Sequence, residues 1–192
     1  MVFLNSNNKK LGLLIGINYE GQNGQLNGCI NDVQKLRDFL INKCNFQESN
    51  IKCLTDHTDT KPTKKNILTA IIELVQKVKD TDVKEVWFSY SGHGYYMSND
   101  SEDDKKDEVL VPLDYNTNGC IKDDTLYSLL VKELPKDCKL FCIIDACHSG
   151  TALDLPYIYR VDTGVKEQFT PESLCNVLKI SGCRDNQTSA DA

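Results

Sequence analysis

The chain of 192 residues has no uninterrupted apolar run approaching the roughly 20 residues that span a bilayer, so the sequence predicts no membrane partner. It has no basic excess either: 22 Lys and Arg stand against 28 Asp and Glu, for a formal charge of -6. A nucleic-acid surface needs a basic stripe, and pairs such as Lys64-Lys65 and Lys105-Lys106 are short solvated doublets. No nucleic-acid partner is expected. The opening MVFLNSNNKKLGLLIG places polar residues behind its first apolar ones and carries no small-residue cleavage site, which argues against a secretory leader. The expected setting is cytoplasmic. Repeats and low-complexity linkers are missing, and so is the paired CxxC spacing of structural zinc sites. Cys138, Cys142, Cys147 and His148 do form C-x3-C-x4-C-H, but a mid-strand Cys142 cannot share one small coordination sphere with both neighbours.

What is present is an ordinary globular balance, 40% hydrophobic and 26% charged, in a length that suits one domain. The nine cysteines are odd in number and follow no leader, so most are read as reduced, buried, small apolar side chains. Lys10 to Asn18 is continuously apolar, as a strand covered on both faces should be. Ile30, Val33, Leu36 and Leu40 then recur at helical spacing, and Asn50 to Thr55 reads as a second strand. Thr63 can cap a helix whose buried stripe is Ile67, Ile71, Leu74, Val75 and Val78. Further strands are expected at Lys84–Ser91, Glu108–Leu113, Leu140–Asp145 and Cys175–Ser181. A helix opened by Asp123 and Asp124 lies among them, and a long loop precedes the last. Alternating strands and helices predict an α/β fold with a mostly parallel sheet.

In such sheets the chemistry lies beyond the carboxyl ends of the strands. Two segments leave strands there with unusual residues, Ser91-Gly92-His93-Gly94 and Asp145-Ala146-Cys147-His148-Ser149-Gly150, and both should open on one rim. A thiolate nucleophile needs a base, an accessible position and donors for the oxyanion. Cys147 sits past its strand, and His93 lies 54 positions upstream between two glycines that let the backbone turn sharply. His148 is the poorer base, because adjacent residues leaving a strand point in different directions. A strand-end cysteine is by itself more often an inert core residue.

YSGHG at 90–94 with DACHSG at 145–150 resembles the metacaspases, relatives of the caspases, in which the histidine precedes the cysteine by about 50 residues. LNGCINDV at 26–33, DEVLVPLD at 107–114, IKDD at 121–124 and ISGCRDNQTSAD at 180–191 resemble metacaspase segments in the same order. The resemblance implies a caspase-like three-layer α/β fold with a mostly parallel central sheet flanked by helices. Residues 1–10 are then an N-terminal extension, and 11–192 a catalytic domain truncated before the small-subunit region. It implies Cys147 as nucleophile, His93 as general acid/base, and an oxyanion hole from the amides of Gly94 and Cys147. Cys29, Asp32, Ser91 and Asp145 correspond to the first specificity pocket. Its two carboxylates suit Arg or Lys at the cleavage site of a protein or peptide substrate, although Asp32 alone reads as a helix first-turn acid.

Asp107, Asp123, Asp124 and Asp154 resemble a composite Ca2+ site drawn from several loops, of the kind that supplies six to eight oxygens. An acidic loop alone is more often merely solvated, and Lys105 and Lys106 would weaken affinity for the cation. A missing C-terminal portion is a further expected partner, and an unpaired sheet edge would invite association. Self-cleavage after Lys166, Lys179 or Arg184 is the expected processing. The reading is thus a calcium-dependent cysteine endopeptidase, set against a catalytically silent scaffold of the same fold.

Overall fold

The apolar run KLGLLIG forms β1 (Lys10–Gly16), and six of its seven residues are buried. The computed structural model describes residues 9–98, 106–147, 153, 157–160, 164–167 and 175–182, with 97–98, 106–107, 157–160 and 164–167 described as backbone. After β1 the chain passes through α1 (Cys29–Cys44), β2 (Ile51–Thr55), α2 (Lys64–Asp80) and β3 (Glu85–Ser91). A hairpin of β4 (Gly94–Ser98) and β5 (Lys106–Leu110) follows, then the short α3 (Tyr115–Asn118), β6 (Ile121–Lys122) and α4 (Asp123–Leu126). A wider helical turn, Tyr127–Val131, extends α4. The remaining strands are β7 (Lys139–Asp145), β8 (Tyr157–Arg160), β9 (Gly164–Glu167) and β10 (Asn176–Ser181).

Five strands make the central sheet in the order β10-β7-β3-β1-β2, and every pair in it is parallel. Alternation along β1 divides the core. Leu11, Leu13 and Ile15 meet the Ile67, Ile71, Leu74 and Val75 stripe of α2 together with Leu126 and Leu130. Leu14 meets Val33, Leu40 and Phe46 on the α1 side. Three layers result because both faces of the inner strands are apolar. Thr63 caps α2 by accepting from the Asn66 N–H, as its sequence position predicts. Cap chemistry at α1 comes from a distance instead. Asn18 Oδ1 accepts from the N–H groups of Cys29 and Ile30, while Asp56 takes the Asn18 N–H.

Several expectations shift. The first strand stops at Gly16 rather than Asn18, because the Asn18 N–H is taken by the Asp56 side chain and not by a neighbouring strand. The segment after His93, to which the sequence assigned no element, is a strand that pairs antiparallel with β5 and through it with β6. The strand expected at 108–113 runs over Lys106–Leu110; Pro112, just beyond it, has no N–H to offer a ladder. The long loop before β10 holds the antiparallel pair β8–β9. No helix among the described residues is long and apolar enough to cross a membrane.

Gly16 carries the close approach of α1 to the sheet. A Cβ there would lie well inside contact distance of the Cys29 carbonyl and 2.7 Å from Val33 Cγ2. At Gly12 the same atom would meet only Ile51 side-chain atoms, at an ordinary 3.4 Å. Gly16→Ala should therefore lower stability by about 1–3 kcal/mol in urea unfolding, with Gly12→Ala close to wild type. Equal midpoints for both variants would mean that α1 does not rest on Gly16.

Candidate active site

β3 and β7 are neighbours, and their register pairs Ser91 with Asp145. His93 and Cys147 each follow that pair by two residues, so the shared register delivers both to the same edge. Pairing continues past the strands, with the Gly92 N–H donating to the Asp145 carbonyl at 3.2 Å. The main chain of Gly94 lies against Cys147: a Cβ on Gly94 would collide with the Cys147 carbonyl and stand 3.1 Å from Ala146 Cβ. His93 and Cys147 are both half-buried, open enough to meet a substrate.

The imidazole of His93 lies over the Tyr19 ring, with centroids 4.7 Å apart and planes tilted by 32°. Its Nε2 is 2.5 Å from the Gly24 carbonyl oxygen. A carbonyl only accepts, so Nε2 is the nitrogen that carries hydrogen, and Nδ1 is left to take a proton. Gly24 has φ of +80°, and a Cβ there would approach Nε2 to 3.2 Å. Sequence reasoning missed Gly24. The available signal was the glycine- and asparagine-rich stretch EGQNGQLNG at 20–28, which permits such a turn but does not name its target.

The residues expected to line a specificity pocket come together on the same edge. Ser91 Oγ donates to Asp32 Oδ2 at 3.2 Å, which ties the first turn of α1 to the end of β3. Cys29 is buried in that first turn, with its carbonyl over Gly16, and Gly16 pairs with Ser91. Asp145 stands beside Ser91 in register, and its carboxylate packs against Gly182, where a Cβ would lie 3.1 Å from Asp145 Cγ.

Five other thiols are held back from this chemistry by burial. It pushes Cys138 up to about 11 and raises Cys142, Cys175, Cys53 and Cys120 as well. Among the described residues eight cysteines, Cys147 included, stand outside any disulfide. Cys142 lies mid-strand on β7, as expected. Among the described residues no three His, Cys, Asp or Glu side chains are grouped to hold a metal ion. His148, Ser149 and Gly150 lie outside them, as do Lys105, Asp154 and Arg184.

The acidic set is placed differently from the expectation of separate loops. Asp107 is on β5, opposite Met97, and Asp123 and Asp124 form the first turn of α4, where the Asp124 N–H donates to Asp123 Oδ1. Glu108, which the sequence reading passed over, is buried at 4% exposure. One step beyond the Val109–Lys122 pair sets it beside Asp123, itself 9% exposed. Of the expected processing positions, Lys166 falls on β9 and Lys179 on β10.

The family model "Metacaspase, peptidase C14 domain" matches residues 10–156. The chain belongs to the metacaspases. It is 45% identical over 236 aligned positions to Metacaspase-1 of Cryptococcus neoformans, covering 95% of this chain and 51% of that protein. With Metacaspase-1 of Debaryomyces hansenii it shares 35% over 243 positions, covering 99% and 55%. This metacaspase chain spans about half the length of the curated relatives it matches. Those alignments are longer than the chain's 192 residues, so the relatives carry internal residues that this one lacks. In fold it is similar to protein GSU0716 of Geobacter sulfurreducens, with a TM-score of 0.69 and 23% identity over 96% of this chain and 76% of that one. The α/β architecture with a mostly parallel central sheet is thus shared with that solved structure.

The contact between Gly94 and Cys147 has a direct consequence. Gly94→Ala should force the Cys147 main chain away and cut the rate at which iodoacetamide labels Cys147 about tenfold. Mass spectrometry of the peptide containing Cys147 measures this, and an unchanged rate would show that the two main chains are not packed together.

Proposed function

We propose that this metacaspase chain is a cysteine endopeptidase that cleaves after Arg or Lys and is promoted by Ca2+. The observation that carries the reading is the register Ser91–Asp145, which brings His93 and Cys147 to one edge. Nδ1 of His93 takes the thiol proton, and the sulfur attacks the scissile carbonyl carbon. The carbonyl's π electrons pass to its oxygen, for which we assign the N–H groups of Gly94 and Cys147 as donors. As the C–N bond breaks, its electron pair leaves with the amine, which takes the proton from Nδ1. The resulting thioester is opened by a water that gives its proton to the same nitrogen, and the thiol is restored.

Asp32, held by Ser91, and Asp145 beside it support a pocket for a cationic side chain. Two carboxylates in a half-buried cleft attract a guanidinium or ammonium and repel an acidic side chain. The partners are accordingly proteins or peptides with Arg or Lys at the scissile bond. Leu178 and Ile180, exposed on the outer strand β10, support cover by a further stretch of polypeptide.

The calcium reading is supported by the donors available. Glu108 and Asp123 bring carboxylate oxygens to successive positions and out of water, which suits a hard cation. Asp107, Asp124 and Asp154 are the further ligands proposed. Bound there, Ca2+ would supply charge that steadies the β5–β6 turn region; the proton and acyl transfers belong to His93 and Cys147.

A fluorogenic peptide ending in Arg tests the peptidase reading. Cys147→Ala and His93→Ala should each lower kcat by at least about a thousandfold. Asp32→Asn should raise KM for the Arg peptide about tenfold, and a peptide ending in Asp should not be cleaved. Turnover that survives Cys147→Ala, or a preference for Asp, would defeat the assignment. Calcium is tested apart from turnover. Titration calorimetry with CaCl2 should give a binding isotherm that Glu108→Gln with Asp123→Asn removes, and a flat trace for the unsubstituted chain would end the proposal.

A further inference from the structure

Two tyrosines that contribute nothing to the proton and acyl transfers converge on His93. Tyr19 and Tyr90 are both fully buried, and a purely packing role would be filled as well by phenylalanine. Their hydroxyls lie 3.1 Å apart, yet each finds its principal partners elsewhere. The His93 N–H donates to the Tyr19 oxygen at 2.9 Å, and Tyr19 donates its own hydrogen to the Val111 carbonyl at 2.6 Å. The Tyr90 hydroxyl donates to the His93 carbonyl at 2.8 Å, and its oxygen accepts the Val111 N–H at 3.2 Å. Each hydroxyl has one hydrogen, and this assignment uses both. His93 and Val111 are also the next pair of the β4–β5 ladder, with the Val111 N–H reaching the His93 carbonyl at 3.2 Å.

We propose that Tyr19 and Tyr90 are positioning residues for His93: their hydroxyls clamp both its N–H and its carbonyl to Val111, and the Tyr19 ring sets the plane of its imidazole. The inference rests on the peptidase reading of the same site. Two further features fit it. Tyr19 adopts a φ of 53°, the left-handed region that side-chain-bearing residues rarely occupy, which the surrounding structure must hold in place. Gly92 is the residue that makes room for the pair, since a Cβ there would come 2.8 Å from the Tyr90 oxygen and 3.0 Å from that of Tyr19. The glycine before the histidine thus serves the hydroxyls as much as the turn. Burial pushes both phenols well above their ordinary range, so they remain protonated donors at any working pH. The loop that carries Gly24 to Nε2 begins directly after Tyr19, so one short segment fixes the ring from its face and from its edge.

The test removes the hydroxyls and keeps the rings. Tyr19→Phe and Tyr90→Phe should each lower kcat on the Arg peptide about tenfold while KM stays within about twofold. Iodoacetamide labelling of Cys147 at pH 7, which needs no turnover, should slow in parallel because a misplaced imidazole no longer draws off the thiol proton. Ile71→Val, in the same core but on α2, is the comparison: it should lower the melting temperature and leave both rates unchanged. Should Tyr19→Phe not fold, Tyr90→Phe carries the test by itself. Wild-type labelling and turnover in the Phe variants, or losses that merely track stability as in Ile71→Val, overturn the proposal. Turnover persisting in Cys147→Ala would instead strike the peptidase reading, and the labelling rates would still decide for or against the clamp.

Discussion

The parallel register between β3 and β7 is the constraint from which the site follows. Ser91 and Asp145 face each other across a hydrogen-bonded pair, so whatever lies a fixed number of residues beyond them must arrive together. The sheet decides this by burial. Val86, Phe88 and Tyr90 on one strand, and Leu140, Cys142 and Ile144 on the other, lie in one apolar layer. A slip of one residue would turn each of them toward the wrong face, which is why the pairing admits no drift. Cys147 and His93 are held in line by residues of the apolar core beneath them.

The row at the strand ends extends further than His93 and Cys147. Gly16 pairs with Ser91 and lets α1 settle onto the sheet, which puts Asp32 within a hydrogen bond of Ser91 Oγ. At the far side Gly182 admits the Asp145 carboxylate. Glycine at each end of the row leaves room for backbone or carboxylate where any side chain would collide. The polar groups between them, Ser91 and Asp145, then stand at one level above the core.

Much of this was legible in the sequence. Continuous apolar runs gave the inner strands, and helical spacing gave α1 and α2, because burial imposes those periods. The site was legible through residue type: a cysteine, a histidine and glycines at strand ends mean little in a packed core and a good deal at a sheet edge. The strand β4 was hidden because Gly94 to Ser98 carries no apolar alternation and gains its order from β5 across the hairpin. Glu108 was hidden because nothing local marks a carboxylate as buried; its neighbour Asp123 comes from another element. Gly24 acts through its main chain, and a carbonyl oxygen leaves no trace in a residue's name.

That carbonyl has a stereochemical consequence. With Nε2–H committed to Gly24, the imidazole has a single working nitrogen. On the proposed chemistry every hydrogen ion must enter and leave through Nδ1, so the departing amine has to be presented to that one nitrogen. The ring cannot relay from one nitrogen to the other. On that chemistry a scissile bond threaded in the reverse direction would offer its nitrogen to a position with no acid, and one backbone oxygen would set the polarity in which a substrate chain must lie.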